Sequence, residues 1–177
     1  MINLTDYIKC YEEVLDKKTC NDIINDISIN DFVRARTGDD LESKFRNCYN
    51  NRLNKKYSNK IYESVGKILE KYAQSFPYFS TGLSIEDTGY IHLIYKGSEK
   101  GEYKTHVDHY DLFPKILSIS FILNDEYDGG DFSFFEGKHI VTKKAGSVLV
   151  FPSNFCFPHA VTPVTNGDRH SIITWIG

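Results

Sequence analysis

Apolar residues fall into two regimes along the chain. In the first half they recur at roughly helical spacing: Val14, Ile23, Ile24 and Ile27 in YEEVLDKKTCNDIINDI, then Ile61, Val65, Ile68, Leu69 and Tyr72 in SNKIYESVGKILEKYAQSFP. A helix returns a side chain to the same face about every 3.6 residues, so both segments are expected to be amphipathic helices. The second should open at Ser58 or Asn59 as N-cap and stop at Pro77. The polar, punctuated stretch from Asn30 to Asn54 shows neither period and reads as a loop or a lid. From Gly89 the texture changes to short β-branched and aromatic runs: YIHLIYK, YKTHVD, KILSISFIL, DFSFF, HIVTKK, SVLVFP, HAVTPV and HSIITWIG. None of this half is long enough for a crossover helix, which favours an antiparallel sandwich or jelly roll over a parallel α/β sheet. Asp128-Gly129-Gly130-Asp131 is expected to be a hairpin turn, because glycine supplies positive φ. The reading is a mainly β fold: residues 1–84 as a helical support region with a possible lid, and 85–177 as the β core, in one compact domain.

Charge and composition narrow the function. At 177 residues the chain can bury a core without staples. A net charge of -3 argues against a nucleic-acid partner, since neutralising phosphates requires clustered Lys and Arg. The lysines from Lys55 to Lys71 are interleaved with Glu63 and Glu70, as on a solvated helix face. No run approaches the ~20 apolar residues of a bilayer span, and MINLTDYIKCYEEV lacks a basic and apolar leader, so no membrane association and an intracellular, cytoplasmic setting are expected. Cys10, Cys20, Cys48 and Cys156 show no C-x-x-C spacing and read as reduced, structural thiols.

The candidate chemistry lies in YKTHVDHYD, which holds two H-x-D pairs in succession, His106 with Asp108 and His109 with Asp111. On a strand, residues i and i+2 face the same way, so either pair would present an imidazole beside a carboxylate. His159, opening a later strand, offers a third ligand; two histidines and one carboxylate leave coordination positions open on a ferrous ion. Taken alone an H-x-D pair is weak evidence in a chain with 6 His and 24 acidic residues. Arg169 and Ser171 share a strand face in the C-terminal run, where a fixed guanidinium fork and a hydroxyl can hold one carboxylate.

H-x-D followed about fifty residues on by HAVTPVTNGDRHSIITW resembles the double-stranded β-helix of 2-oxoglutarate- and iron(II)-dependent oxygenases, specifically the prolyl 4-hydroxylase-like branch. The likeness covers roughly Ile85 to Gly177, and YIHLIYKGSEKGEYKTHVD, ILSISFILNDEYDGGDFSFF and KKAGSVLVFPS follow the family's order. It implies that His106, Asp108 and His159 hold iron(II), that Arg169 pairs with the distal carboxylate of 2-oxoglutarate with Ser171 as helper, and that Tyr95 and Tyr103 line the cosubstrate pocket. Some relatives carry a tyrosine supporting the arginine where this chain has Ile122, so either another group does that work or the carboxylate grip is weaker. The family's Y-x-x-H-x-D phrase fits Tyr103-x-x-His106-x-Asp108, which selects the first pair and leaves His109 as a loop residue near the substrate entrance. The implied reaction is hydroxylation of an unactivated C–H bond with O2, coupled to oxidative decarboxylation of 2-oxoglutarate to succinate and CO2, with ascorbate as an accessory reductant. A prolyl residue in a peptide or protein is the leading substrate. A free amino acid or small metabolite is the alternative within this chemistry, and a non-catalytic metal- or ligand-binding β-barrel the alternative outside it. Because ligating imidazoles must be neutral, activity is expected to fall below pH ~6.

Overall fold

The computed structural model describes residues 3–36, 44–79, 81, 86–109 and 114–177. Helix α1 spans Lys17–Asn25 and α2 spans Lys55–Ser75. Asp16 caps α1, its carboxylate accepting from the Thr19 amide at 2.7 Å and the Thr19 hydroxyl at 2.8 Å. Val14 and Ile27 fall outside this helix; the Val14 and Leu15 amides both donate to the Gly146 carbonyl instead, which draws the preceding chain onto the sheet. Helix α2 opens earlier than the aliphatic period predicts. Asn54, rather than Ser58 or Asn59, is the cap and accepts from the Lys56 amide at 3.1 Å. The first turn is anchored by a tyrosine outside the aliphatic pattern: Tyr57 is buried and donates to the Asp22 carbonyl of α1 at 3.0 Å. The helix ends one residue before the Phe76-Pro77 pair, as a proline stop requires.

The strands, in chain order, are β1 (Lys9–Tyr11), β2 (Val33–Arg34), β3 (Arg46–Asn47), β4 (Tyr49–Arg52), β5 (Ile91–Lys96), β6 (Glu102–His106), β7 (Leu117–Ile122), β8 (Asp128–Gly129), β9 (Phe132–Phe134), β10 (His139–Val141), β11 (Val148–Pro152), β12 (His159–Val161), β13 (Val164–Asn166) and β14 (Asp168–Ile176). They form a seven-stranded sheet of order β1-β11-β7-β14-β5-β4-β2 and a five-stranded sheet of order β10-β9-β12-β6-β3, with β13 and β8 paired separately. Every strand pair is antiparallel. The fold is mainly β with a jelly-roll core and few helices, as the run of short strands predicts.

The large sheet has two working faces. On β7, Leu117, Ile119 and Phe121 pack with Ile61, Val65, Ile68 and Tyr72 of α2 in the main hydrophobic cluster. Alternation turns Ser118, Ser120 and Ile122 to the opposite face, toward the smaller sheet. On β14 the same rule separates Ile172 and Ile176, in the helix-side cluster, from Arg169, Ser171, Ile173 and Trp175.

Three sequence expectations are corrected. Asp128-Gly129-Gly130-Asp131 is not a hairpin turn: Asp128–Gly129 is strand β8, paired across the chain with β13. The positive φ of Gly129 and Gly130, 68° and 63°, serves this long-range pairing, and a Cβ on Gly129 would sit 2.1 Å from the Pro163 carbonyl oxygen. The HAVTPV run is two strands, β12 and β13, interrupted at Pro163. The stretch from Asn30 to Asn54 is no bare loop; β4 extends the large sheet beside β5, and β3 pairs with β6. Residues 37–43 of the expected lid lie outside the described residues. The four cysteines are free thiols, with Cys20 and Cys48 buried. Among the described residues no helix is long and apolar enough to cross a membrane.

Candidate active site

His106 ends β6 and His159 begins β12, and the two strands pair so that His159 stands opposite His106. Asp108 lies two residues past the end of β6, so loop geometry and not strand alternation brings its carboxylate to the histidines. Potential ligand atoms of His106, Asp108 and His159 lie within 4.8 Å of one another. The His106 Nε2 is 3.5 Å from one carboxylate oxygen and the His159 Nε2 is 3.6 Å from the other, separations too long for direct hydrogen bonds. Each imidazole is oriented from behind: His106 Nδ1 lies 2.8 Å from the Lys104 carbonyl and His159 Nδ1 lies 3.1 Å from the Phe157 carbonyl. A carbonyl can only accept, so Nδ1 carries the proton in both rings and the Nε2 lone pairs are left for a cation.

Asp108 is fixed by Ser118, which donates to it at 2.7 Å and lies 2.8 Å from the buried Ser153 hydroxyl. Burial pushes the Asp108 carboxyl up, but the neighbouring His106 and His159 imidazoles and the Ser118 hydroxyl outweigh it and hold the group well below the usual carboxylate range. Burial also depresses His159 to about 4, with Asp108 opposing. An ionised carboxylate and a neutral imidazole are the ligand forms a divalent metal requires. Two imidazoles and one carboxylate on one side, with the remainder open, fit iron(II).

The second half of the site belongs to the large sheet. Arg169 is 3% exposed and lies in the same cavity as the three residues above, a space of about 210 Å³. Its guanidinium donates to the Ser171 hydroxyl at 3.0 Å and lies 5.0 Å over the Tyr95 ring and 5.7 Å over the Phe132 ring. Among the described residues no carboxylate pairs with it. Asp168, the obvious neighbour in sequence, instead accepts from the Gly97 amide at 3.1 Å. A buried guanidinium without a counter-ion is costly unless a ligand supplies the anion.

The candidates read from sequence therefore converge: His106, Asp108, His159, Tyr95, Tyr103, Arg169 and Ser171 all line one cavity. Tyr103 stacks on His106 with ring centroids 3.5 Å apart, and Tyr95 is fully enclosed beneath Arg169. Ile122 is buried and offers no hydroxyl. Tyr127 is the tyrosine beside Arg169 here: its phenol is raised by burial, with the guanidinium opposing the shift. Gly130 makes room for this contact, since a Cβ there would meet Tyr127 Cε2 at 2.9 Å and Arg169 Cδ at 3.2 Å. Sequence reasoning passed over Tyr127, although a tyrosine just ahead of two glycines was a signal. It also missed Ser120, whose buried hydroxyl lines the cavity without a hydrogen-bond partner among the described residues. His109 is exposed, does not line the cavity and has its Nδ1 3.4 Å from the Lys115 carbonyl. Asp111 lies outside the described residues.

Residues 91–177 match the family model described as the 2OG-Fe(II) oxygenase superfamily, a span holding all seven of these residues. The β core spanned by this match belongs to the 2OG-Fe(II) oxygenase superfamily. Its prolyl 4-hydroxylase-like character is supported by relatives. A PKHD-type hydroxylase of Rippkaea orientalis is 33% identical over 94 residues, covering 48% of this chain and 41% of that protein. A PKHD-type hydroxylase of Rhizorhabdus wittichii is 29% identical over 126 residues, covering 64% and 54%. In these matches the chain spans about half the length of the relatives or less. Among solved structures, the viral collagen prolyl hydroxylase of Paramecium Bursaria Chlorella virus-1, as its 2-oxoglutarate complex, superposes with a TM-score of 0.72 at 19% identity over 98% of both chains. A Pseudomonas putida prolyl-4-hydroxylase gives 0.71 at 18% identity, covering 96% of this chain and 91% of that one. At such identities these two likenesses establish the shared oxygenase fold.

Proposed function

We propose that this member of the superfamily is an iron(II)- and 2-oxoglutarate-dependent dioxygenase that hydroxylates a C–H bond, with a prolyl residue of a peptide or protein as its substrate. The observation that carries the reading is Arg169, a buried cation without a carboxylate partner among the described residues, in the same cavity as two imidazoles and a carboxylate. A metal site of purely structural use has no need of such a clamp. A prolyl substrate is supported by resemblance: a solved neighbour with a TM-score of 0.71 is a Trichoplax adhaerens prolyl hydroxylase in complex with a peptide fragment of a hypoxia inducible factor.

Bound iron and 2-oxoglutarate would supply the oxidising chemistry by which O2 is split, one oxygen atom going to succinate and the other to the substrate. His106, Asp108 and His159 would hold the iron, their second atoms locked by Lys104, Ser118 and Phe157 so that little reorganisation accompanies loading. Arg169 and Ser171 would grip the far carboxylate of the diacid, and Tyr95 and Phe132 close the walls around the guanidinium. Enclosure by these residues keeps bulk water from the carboxylate and strengthens the ion pair. Ascorbate would serve as a reductant that keeps the iron ferrous.

Anaerobic titration with iron(II) and 2-oxoglutarate tests the reading. A weak visible charge-transfer band should develop only when both are present, and it should be lost in Asp108→Ala and His159→Ala. Succinate release is then assayed against proline-containing peptides, free amino acids and methylated oligonucleotides. Absence of the band, or release with the oligonucleotides alone, would overturn the proposal.

A further inference from the structure

The cavity holds more positive charge than the proposed reaction uses. Arg36, Arg46 and Lys115 line it alongside Arg169, while Asp108 is the one carboxylate among the described lining residues. Arg169 is taken by the far end of 2-oxoglutarate and Asp108 by iron. Three cations remain.

Arg46, on β3, is half-buried and lies 4.6 Å over the Tyr103 ring, which itself stacks on His106 at 3.5 Å. The guanidinium thus continues a column that begins at a proposed iron ligand. Its Nε donates to the Cys48 sulfur at 3.2 Å, and no described carboxylate approaches its remaining donors. Lys115, just ahead of β7, is also half-buried, with its ammonium 3.5 Å from the centre of the Trp175 ring. Burial lowers the Lys115 pKa, Asp108 opposes the shift and Arg46 adds to it, so the two cations lie within electrostatic reach of each other. Like charges brought together in a partly dry cavity repel, and an anion arriving with a ligand removes that repulsion. A fork of donors and a compact ammonium lining one cavity suit a carboxylate, which accepts two parallel bonds from arginine.

Building on the proposed oxygenase reading, we infer that the substrate presents a carboxylate to Arg46 and Lys115 near the carbon that is hydroxylated. Two sources share this chemistry: an acidic side chain beside the target proline of a peptide, and the free α-carboxylate of an amino acid. Either would explain why Arg46 and Lys115 line the cavity although the chain as a whole carries a net charge of -3.

Trp175 is the chain's one tryptophan and lines the cavity under Lys115, so its fluorescence reports binding there. Protein loaded anaerobically with iron(II) and saturating 2-oxoglutarate is titrated with proline peptides flanked by Glu or by Gln, and with free L-proline or its amide. At least one carboxylate-bearing probe should bind ten times more tightly than its amide, the peptide and free-acid arms showing which source the site takes. Arg46→Gln and Lys115→Gln should each cut that preference about tenfold, and Arg46→Lys should restore part of it. Equal affinity of acid and amide in both arms, binding of neither, or a preference that survives both Gln substitutions would overturn the inference. The oxygenase reading is judged separately: with the charge-transfer band present, those outcomes remove the carboxylate inference alone, whereas an absent band removes both.

Discussion

Arg169 sets the stakes at the scale of single residues. A charge-assisted hydrogen bond is worth roughly 1.5–3 kcal/mol, so Arg169→Gln should weaken 2-oxoglutarate binding by roughly ten- to a hundredfold, read as the midpoint of an anaerobic titration. Ser120 makes a subtler prediction. Its hydroxyl is buried and has no partner among the described residues, so Ser120→Ala should leave the ligand-free protein as stable as before or slightly more so, while lowering 2-oxoglutarate affinity severalfold. Unchanged affinity would return Ser120 to a packing role. His106, Asp108, His159 and Arg169 were singled out because the order of H-x-D and the C-terminal run resembles a known family, the H-x-D pair being weak evidence by itself, and the four line one cavity. Arg46 could not be: it lies in a polar stretch without period, and only the pairing of β3 with β6 carries it over Tyr103. Ser120 was hidden for another reason, since a serine within LSISFI reads as an ordinary strand position until the facing wall is known.

At the scale of elements, α2 was legible in its middle and not at its start. Ile61, Val65 and Ile68 declare a buried stripe, whereas the opening depends on Asn54 and on Tyr57 reaching α1. Asn54→Ala should therefore cost about 1 kcal/mol in denaturant unfolding, and Ser58→Ala and Asn59→Ala much less. Strands β5 to β7, β9 to β12 and β14 were visible because β-branched and aromatic runs dominate them, whereas β8, the Asp128–Gly129 pair, carries only a turn signal and β13 was merged with β12. Strands β2 to β4 were not visible, being too short and polar to show alternation. On the helix side of the large sheet, His92 and His170 face each other, Nε2 to Nδ1 at 3.1 Å. Burial depresses them to about 3 and about 4. Both are neutral in the fold at pH 7. The unfolded chain takes up protons below pH ~6.5 while the folded chain does not, so stability is full above that pH and falls as pH drops toward 4. The loss at pH 5 should be on the order of 2 kcal/mol per imidazole. A His92→Gln, His170→Gln double variant should show a shallower fall in urea midpoint between pH 7.5 and pH 5.

Considered as a whole, the molecule divides its labour between two sheets. Iron would be held by the five-stranded sheet and the loop leaving it, through His106, His159 and Asp108. The far carboxylate would be held by the seven-stranded sheet, through Arg169 and Ser171. Ligands that bind only the native state must stabilise it, so iron(II) with 2-oxoglutarate should raise the melting temperature by more than the two separate increments combined. Simple additivity would mean that the two ends are not bridged. The division also reaches beyond affinity. A diacid anchored at both ends would act as a rivet through the sandwich, tying β6 and β12 to β14. In the proposed reaction each turnover would shorten the rivet by one carbon, from 2-oxoglutarate to succinate, so the product should brace the two sheets less firmly than the cosubstrate and raise the melting temperature of the iron-loaded protein by less.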